Sequence, residues 1–208
     1  MAISNYSELQ TAVANWIDRA DLTDRIKEFI ALGEARIYRE LRINAMVSVH
    51  TEDIGSVYPS QLSRPSDYLA LLQARLKEGN YQYTLKLITL DYHSSVFPDR
   101  GALSMPKYIV EAGNKNFSFS PQPDKGYNIV LVYYARLPSL SDSNTTNWFT
   151  DNAPDILLWA SLVESHAFTM DDERVGLWET KYQQAKSMIQ KEDNRRYRDS
   201  SMSSTKSM

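Results

Sequence analysis

The side chains that most often carry chemistry are few in this sequence, and they do not converge on one site. The chain has no cysteine and only three histidines, His50, His93 and His166. They fall in three different predicted elements, and none has a partner at the spacing of a metal site. Asp91 and Ser94 lie beside His93, but sequence neighbours do not make a catalytic triad, and no nucleophile elbow is present. The sequence therefore predicts no catalytic residue, no metal and no cofactor.

Two further patterns that are typical of ligand sites have simpler interpretations. Asp171-Asp172-Glu173 could suggest a cation site, but the helix dipole favours acidic residues at a helix start, and consecutive helical residues point in different directions. The seven glycines are scattered, so they form neither a phosphate-binding loop nor a dinucleotide fingerprint. We expect a protein that is not an enzyme.

The charge and hydropathy patterns do not favour binding to nucleic acid or to membranes. The net charge is -3, and the two helices predicted within residues 7–42 carry balanced charges, unlike a helix that reads a DNA groove. No apolar run approaches the roughly 20 residues of a membrane helix, and the first residues lack the features of a signal peptide. We expect synthesis in the cytoplasm and no sequence-specific DNA binding.

The N-terminal segment predicts two helices. Ser7–Gln10 has the pattern of a capping box at the start of the first helix. Asp21 is the predicted cap of the second helix, which extends for about 20 residues along an apolar stripe. Within this stripe, Gly33 marks a close contact with another element. Charged residues of the second helix, Glu34 among them, are assigned to its outer faces.

Between residues 45 and 138 the apolar period changes from that of helices to that of strands. Thr89–Phe97 predicts one short helix in this region. The predicted strands lie near residues 47–50, 68–76, 81–87, 108–111, 117–120 and 128–136. This middle region is therefore expected to form an antiparallel sheet.

Helical periodicity returns after a polar loop, Pro138–Asn147. Asn152-Ala153-Pro154 is typical of a helix start, because proline needs no N–H partner at the first helical position. A later helix has apolar residues spaced by three and four positions from Val175 to Ile189. Residues 195–208 are polar and serine-rich, so we expect them to be disordered on their own.

Together these elements predict an α+β fold. We expect a helical bundle built from N- and C-terminal helix pairs, with an inserted antiparallel β module and a flexible C-terminal tail. The predicted divisions are residues 1–44 (N-terminal helices), 45–138 (β module), 139–194 (C-terminal helices) and 195–208 (tail).

Trp148 and Phe149 stand together in an otherwise polar segment. Aromatic rings in such a place either pack back on their own domain or supply rigid contact area to another subunit. The sequence leaves both interpretations open.

Several short phrases resemble one protein family. In the first half they are Tyr6-Ser7-Glu8-Leu9, Asn15-Trp16, Leu22-Thr23-Asp24-Arg25-Ile26, Glu34-Ala35-Arg36-Ile37 and Arg39-Glu40-Leu41-Arg42. In the second half they are Tyr133-Tyr134-Ala135-Arg136-Leu137-Pro138, Leu140-Ser141-Asp142, Asn147-Trp148, Asn152-Ala153-Pro154-Asp155 and Asp171-Asp172-Glu173-Arg174 with Trp178. These phrases are similar to the head-to-tail adaptor (connector or neck) proteins of tailed bacteriophages. The resemblance covers residues 5–190 and is looser within 54–122.

The resemblance implies a structural protein of the virion, made in the cytoplasm of the host bacterium. About twelve copies would form a ring that joins the portal to the tail tube or nozzle, with DNA passing through the lumen without sequence-specific binding. The C-terminal segment would become ordered on docking to the portal. The residues expected to bind the portal are Arg195, Arg196, Tyr197 and Arg198.

Neighbouring copies in such a ring meet through unlike surfaces. The residues expected at this subunit interface are Arg36, Arg39, Glu40, Trp148 and Phe149. Two alternatives stay open: another neck or tail-completion protein placed lower in the phage tail, and an unrelated soluble enzyme or regulatory domain.

Overall fold

A computed structural model describes residues 3–55, 61–98, 103–113, 115–169 and 172–204; for residues 20, 169, 172, 173 and 196–204 it describes the backbone alone. The chain divides into two compact units, Met1–Met46 with Arg136–Met208, and Val47–Ala135. The first consists of helices and the second is built on a β-sheet. We call them the helical unit and the sheet unit.

In the described residues the chain forms six α-helices. They are α1 (Tyr6–Ile17), α2 (Ile26–Glu40), α3 (Leu90–Val96), α4 (Trp148–Asn152), α5 (Pro154–Thr169) and α6 (Asp172–Ser204), with 3-10 helices at Ala20–Arg25 and Asn44–Met46. The short helix predicted within Thr89–Phe97 is confirmed as α3, and Pro154 is the first residue of α5 as predicted. The helix α4 was not predicted, because five residues are too few to show a period.

The predicted helix starts near the N-terminus are wrong. The cap of α1 is Asn5, two residues before the predicted one, and its side-chain oxygen accepts the backbone N–H of Glu8 at 2.9 Å. Asparagine and serine are both favoured caps, and the helix that starts at Asn5 includes the buried Tyr6 in its first turn. Asp21 lies in a 3-10 helix, and α2 begins only at Ile26.

Over residues 195–204 the structure differs from the flexible tail predicted for 195–208; the last four residues lie outside the described part. The backbone of α6 is helical for 33 residues, as far as Ser204, which corresponds to a length of about 50 Å. Serine-rich composition lowers helix propensity only modestly per residue. Extension of a helix that is already nucleated costs far less than starting one, so the tail continues the helix that precedes it.

The sheet unit contains one sheet of seven strands, including every predicted strand and one that was missed. The strands are β1 (Val47–Ile54), β2 (Gln61–Ser63), β3 (Tyr68–Glu78), β4 (Tyr81–Ile88), β5 (Tyr108–Ala112), β6 (Asn116–Ser120) and β7 (Tyr127–Ala135), in the order β1-β7-β3-β4-β5-β6-β2. All neighbours pair antiparallel except β4 and β5, which are parallel and are connected through α3.

The predicted fold class, a helical bundle with an inserted antiparallel module, is therefore wrong. The edge strands β1 and β2 contact each other, so the seven-stranded mixed sheet is nearly closed and resembles a barrel. Closure gives the sheet a core of its own, with Leu76, Ile109, Phe117 and Ile129 all fully buried. Alternation along a strand reveals the strand, but it does not reveal which strands pair, and pairing decides whether a sheet closes.

The central strand β7 shows how the sequence builds this core. Its residues alternate between buried and half-buried along the whole strand. Ile129, Leu131 and Tyr133 point into the core, while β1 and β3 pair with its two edges. A strand with partners on both sides and one fully buried face anchors the register of its neighbours.

In the helical unit, α5 is the central element. Residues on almost all of its sides are buried, among them Ile156, Ala160, Ser161 and Leu162. Both ends of the helix reach the surface, where Asp155 and Ala167 are exposed. A helix that is apolar all round is typical of the centre of a packed unit.

The close contact predicted at Gly33 is confirmed at the crossing of α2 and α5. A Cβ atom added to Gly33 would lie 2.9 Å from the backbone nitrogen of Ser161 and 3.2 Å from the Cβ of Ala160. The first distance is shorter than any normal packing contact and involves backbone, which cannot rotate away. Any side chain at this position therefore forces the two helices apart.

We expect Gly33→Ala to lower the free energy of unfolding by about 1–3 kcal/mol, because overpacking at the crossing outweighs the gain in helix propensity. The matched control is Gly176→Ala in α6, where an added Cβ meets nothing within 4 Å. This control should be neutral or stabilising by up to about 1 kcal/mol. Urea unfolding of both variants tests the prediction, and equal stability of the two would contradict it.

Candidate assembly surface on the helical unit

Arg36 connects three helices of the helical unit. Its guanidinium group lies 3.2 Å from the carboxylate of Glu40 in α2, 3.4 Å from that of Glu164 in α5 and 2.7 Å from that of Glu179 in α6. The same group lies 4.9 Å from the ring centre of Tyr182. The planar fork of arginine suits this arrangement, since it donates in several directions and stacks on an aromatic face.

Glu40 extends this network along α6. Its carboxylate accepts hydrogen bonds from Lys186 at 2.7 Å and from the hydroxyl of Tyr182 at 3.2 Å. Burial acts to raise the pKa of Glu40, but the hydrogen bond and charge of Lys186, together with Arg36, lower it below its ordinary value. Three carboxylates and two cations thus meet in one cluster, which we call the Arg36 network.

Arg36 and Glu40 therefore have partners within their own chain, whereas Arg39 is exposed on the same helix. In the part of the chain that the structure describes, Arg39 has no ion-pair partner. The contact of these three residues with a neighbouring copy stays a prediction. Arg39 is available for such a contact. Arg36 and Glu40 would have to bind the neighbouring copy in addition to their present ion-pair partners.

Glu34, assigned from the sequence to an outer face, is in fact buried, with 4% of its surface exposed. Its carboxylate accepts the backbone N–H of Leu140 at 3.2 Å and the side-chain amide of Asn147 at 3.1 Å. Burial raises the pKa of Glu34 to about 7, although both hydrogen bonds act to lower it. This single side chain fastens the segment between the sheet unit and α4 to the middle of α2.

Asn147 couples Glu34 to the short helix α4. The side-chain oxygen of Asn147 accepts the backbone N–H groups of Phe149 and Thr150, and the Thr150 hydroxyl accepts the N–H of Asn147. These reciprocal bonds form a capping box. The polar loop before α4 therefore has a defined conformation rather than an adaptable one.

The two aromatic residues of α4 have different environments. Phe149 is 1% exposed and packs near Tyr38, with ring centres 6.2 Å apart. Trp148 is partly exposed and stands edge-on to Phe149. The sequence left open whether these rings pack on their own domain or contact another subunit. Phe149 packs within its own unit, while Trp148 keeps an accessible face.

Trp148 lines a pocket of about 90 Å³ near the C-terminal part of α6. The other lining residues are Ile43, Asn152, Ala153, Ile189, Glu192 and Asp193. Asp193 also accepts the backbone N–H of Asn44 at 3.0 Å, which connects α6 to the 3-10 helix that follows α2. The pocket has an apolar wall and an acidic rim, and it is large enough for one side chain.

The predicted portal-binding residues follow directly beyond this pocket on α6. Arg195 is exposed. The backbone of Arg196, Tyr197 and Arg198 continues the helix, and their side chains lie outside the described residues. The structure thus brings Trp148 close to the start of the predicted tail and places the Arg36 network further back along the same helix.

Sequence reasoning missed the pairing of Glu34 with Asn147. A signal existed, because Glu34 lies four residues from Ile30 and next to Gly33, both on the buried stripe of α2. It also missed a cluster of tryptophans, in which Trp159 stacks on Trp178 at 5.5 Å and Trp16 stands edge-on to both. Trp16 is 47% exposed, so this cluster reaches the surface.

The described residues contain no group of three or more histidine, cysteine or acidic side chains that could hold a metal ion. The acidic run at residues 171–173 lies outside the residues whose side chains are described. Over the described ranges, no helix combines the length and the apolar character needed to span a membrane.

In the helical unit, ion pairs join α2, α5 and α6, and a small pocket lies beside Trp148. A comparison with protein-family models gives the family: the SU10 adaptor protein model matches residues 4–205. The chain belongs to the SU10 adaptor protein family, and the resemblance to phage adaptors noted in the sequence is confirmed. It is a phage adaptor, a structural protein that works with other proteins of the virion. No curated protein matches the chain.

The raised pKa of Glu34 predicts a pH-dependent stability. In the folded state the carboxyl binds its proton more tightly than its ordinary pKa of 4.5 allows, so its contribution is fully present below pH 4.5 and is lost as the pH rises through about 7. The difference corresponds to about 3 kcal/mol. Glu34→Gln keeps an acceptor oxygen without the charge and should remove most of this loss.

The measurement is urea unfolding of wild type and Glu34→Gln at pH 5 and pH 8. The matched control is Glu28→Gln, because Glu28 is exposed on the same helix with a side chain 66% accessible. The control should keep the pH dependence of the wild type. A Glu34→Gln variant that loses as much stability between the two pH values as wild type would contradict the burial argument.

For the Arg36 network we expect Arg36→Lys to cost about 1–2 kcal/mol of unfolding free energy, because lysine keeps the charge but cannot reach three carboxylates on three helices. Arg19→Lys is the control, since among the described residues Arg19 forms an ion pair with Asp21 alone and both side chains are more than half exposed. It should change stability by less than about 0.5 kcal/mol. Thermal or urea unfolding compares the two, and equal effects would show that the network adds nothing beyond a surface pair.

Proposed function

We propose that this adaptor forms a ring of about twelve copies between the portal and the tail tube or nozzle, and that the genome passes through its lumen without sequence-specific contacts. The family match over nearly the whole chain supports a place in the phage neck. In this proposal the protein is made in the cytoplasm of the host, performs no catalysis and contributes contacts only.

The observation that carries the portal contact is the length of α6. The helix continues from Asp193, where it is bonded to Asn44, to Ser204, eleven residues further on. That continuation corresponds to about 16 Å of helix. It contains three arginines and a tyrosine, residue types that are enriched at protein interfaces.

A helical arm is better suited to docking than a disordered tail. Ordering a flexible segment costs about 1–2 kcal/mol for each residue, and a segment that is already helical avoids much of that cost. Its arginines provide charge-assisted hydrogen bonds to an acidic surface. We infer that the arm, Arg195–Ser204, inserts along an acidic groove of the portal.

The pocket beside Trp148 gives this contact a second point. It lies next to Ile189 and Asp193, directly before the arm on α6. A portal side chain that is apolar along its length and basic at its end fits a wall of Trp148 and Ile189 with an acidic rim. Two adjacent contacts would define both the position and the direction of docking.

The test uses the full chain and the portal protein of the same phage. A variant with Arg195→Gln, Arg196→Gln and Arg198→Gln should bind the portal at least tenfold more weakly, a loss of about 1.4 kcal/mol, and its binding should depend less on salt concentration. The control, Ser200→Ala with Ser201→Ala, alters the same arm without changing its charge and should bind as wild type. Binding is followed by biolayer interferometry, and negative-stain images of the mixture report the ring.

Unchanged portal binding by the arginine variant would exclude the arm as the docking element. If wild type does not bind the portal but binds the tail tube, the adaptor lies lower in the neck. This is the alternative hypothesis that the sequence left open.

A further inference from the structure

The segment between β7 and α4, residues 136–147, is attached to α2 within the helical unit. We call this segment the strap. The hydroxyl of Tyr38 donates to the backbone carbonyl of Leu137 at 3.1 Å, and the carboxylate of Glu34 accepts the backbone N–H of Leu140 at 3.2 Å. The strap therefore covers a carboxyl group that lies on α2.

The carboxyl of Glu34 has no counter-ion among the described residues. Its partners are two neutral groups, the backbone N–H of Leu140 and the side-chain amide of Asn147. The cation Lys27, on the same helix, pairs instead with Asp142 of the strap at 2.7 Å. A carboxylate that is removed from water without a cation is costly, so the charged form of Glu34 is disfavoured in the closed structure.

The other ionisable groups close to this carboxyl do not change charge near neutral pH. Tyr6 in α1 and Tyr38 in α2 interact with the charge of Glu34, and Arg136 of the strap acts on Tyr38. Burial raises the pKa of Glu34 to about 7, and burial also raises the pKa values of both tyrosines above 10. Between pH 6 and pH 8 the carboxyl therefore titrates while both hydroxyls stay neutral.

The helices α5 and α4 bring no competing group to the strap. At the crossing with α2, the nearest residues of α5 are Ala160 and Ser161, which do not ionise. Glu164 of α5 is directed to Arg36 at 3.4 Å, and Asp151 of α4 is exposed. Among the described side chains packed around the strap, the buried carboxyl is thus the group that responds to pH near 7.

Ionisation of this carboxyl favours release of the strap. Leu140 and Asn147, which cover Glu34, are only 7% and 8% exposed, so water reaches the carboxylate only when the strap moves away from α2. Such local opening costs less than unfolding of the whole unit. Asn147 is also the cap of α4, so a displaced strap changes the position of Trp148 and with it the shape of the pocket.

We propose that Glu34 is a proton-sensitive latch for the pocket beside Trp148. With the carboxyl protonated, the strap and α4 are closed on α2; with the carboxyl ionised, both loosen and the pocket loses its shape. The latch is a property of the single chain. Its effect on docking rests on the proposed contact between this pocket and the portal.

The test follows the tryptophans of the full chain by fluorine NMR after incorporation of 5-fluorotryptophan. The chain has four tryptophans, so Trp148 is identified by the resonance that is lost in Trp148→Phe, and the other three report on the rest of the helical unit. Spectra are recorded from pH 5.5 to pH 8.5 for wild type, Glu34→Gln and the exposed control Glu28→Gln. Circular dichroism verifies the fold of each variant.

We expect the Trp148 resonance of wild type and of Glu28→Gln to titrate with a midpoint at about pH 7, and that of Glu34→Gln to stay constant. A second variant, Asn147→Ser, keeps a favoured cap for α4 but removes the amide that reaches Glu34. In this variant the Trp148 resonance should also stay constant, because the carboxyl is no longer connected to α4.

Portal binding is measured on the same proteins at pH 6 and pH 8. Wild type and Glu28→Gln should bind at least about threefold more weakly at pH 8, because a smaller fraction of the chains has the closed pocket. Glu34→Gln should bind equally at both values. Comparison with Glu34→Gln separates the latch from titration of the portal itself.

A Trp148 resonance that is independent of pH in wild type, or that titrates equally in Glu34→Gln, would overturn the latch. The same holds if the change removed by Glu34→Gln affects all four tryptophans alike, since that describes opening of the whole unit. Changes that wild type and Glu34→Gln share come from other groups, such as His166, whose ring lies 6.0 Å from that of Trp178. If Trp148 titrates as expected but portal binding does not depend on pH, the latch is confirmed and the pocket is not part of the portal contact.

Discussion

The crossing of α2 over α5 depends on the missing side chain of Gly33, and most of the helical unit depends on that crossing. A backbone approach this close sets the rotation of α2 about its axis. Glu34, the next residue, then lies inside the unit, while Arg36 lies at the junction with α5 and α6. Because protein interiors are densely packed, a change of a few tenths of an ångström here cannot be absorbed locally.

The buried carboxylate of Glu34 links the crossing of α2 and α5 to the surface of the helical unit. It accepts hydrogen bonds from Leu140 and Asn147, and Asn147 in turn caps α4. The cap sets the direction of Trp148, whose ring forms one wall of the pocket beside α6. Burial of a polar group costs free energy. The hydrogen bonds of Glu34 offset this cost and hold together the loop and the helix that shape the surface.

The sheet unit follows a different principle. Its nearly closed sheet encloses a core of its own, and the alternation of β7 is satisfied along its full length. The alternation of β4 is equally regular, but only Leu85 finds cover within the described part of the chain. The same alternation therefore builds the core at β7 and leaves apolar side chains exposed at β4.

Local pattern in the sequence was enough to locate most strands and the longer helices, although it misplaced the starts of α1 and α2 and missed the short helix α4. The strand and helix periods and the glycine contact in α2 follow from repeats of two or of three to four residues. The start of α5 follows from Pro154, which needs no N–H partner at the first helical position. The short phrases that resemble phage adaptors were likewise recognisable from the sequence alone.

Tertiary structure alone decided the features that depend on residues far apart in the chain. Burial of Glu34 requires partners more than one hundred residues away, and closure of the sheet requires β2, three residues long, to pair with β6, more than fifty residues further along the chain. The continuation of α6 through a serine-rich tail depends on a helix nucleated by Trp178 and Tyr182 in the packed unit. The physical reason is the same in each case: periodicity reports which face of an element is apolar, and only packing determines what that face meets.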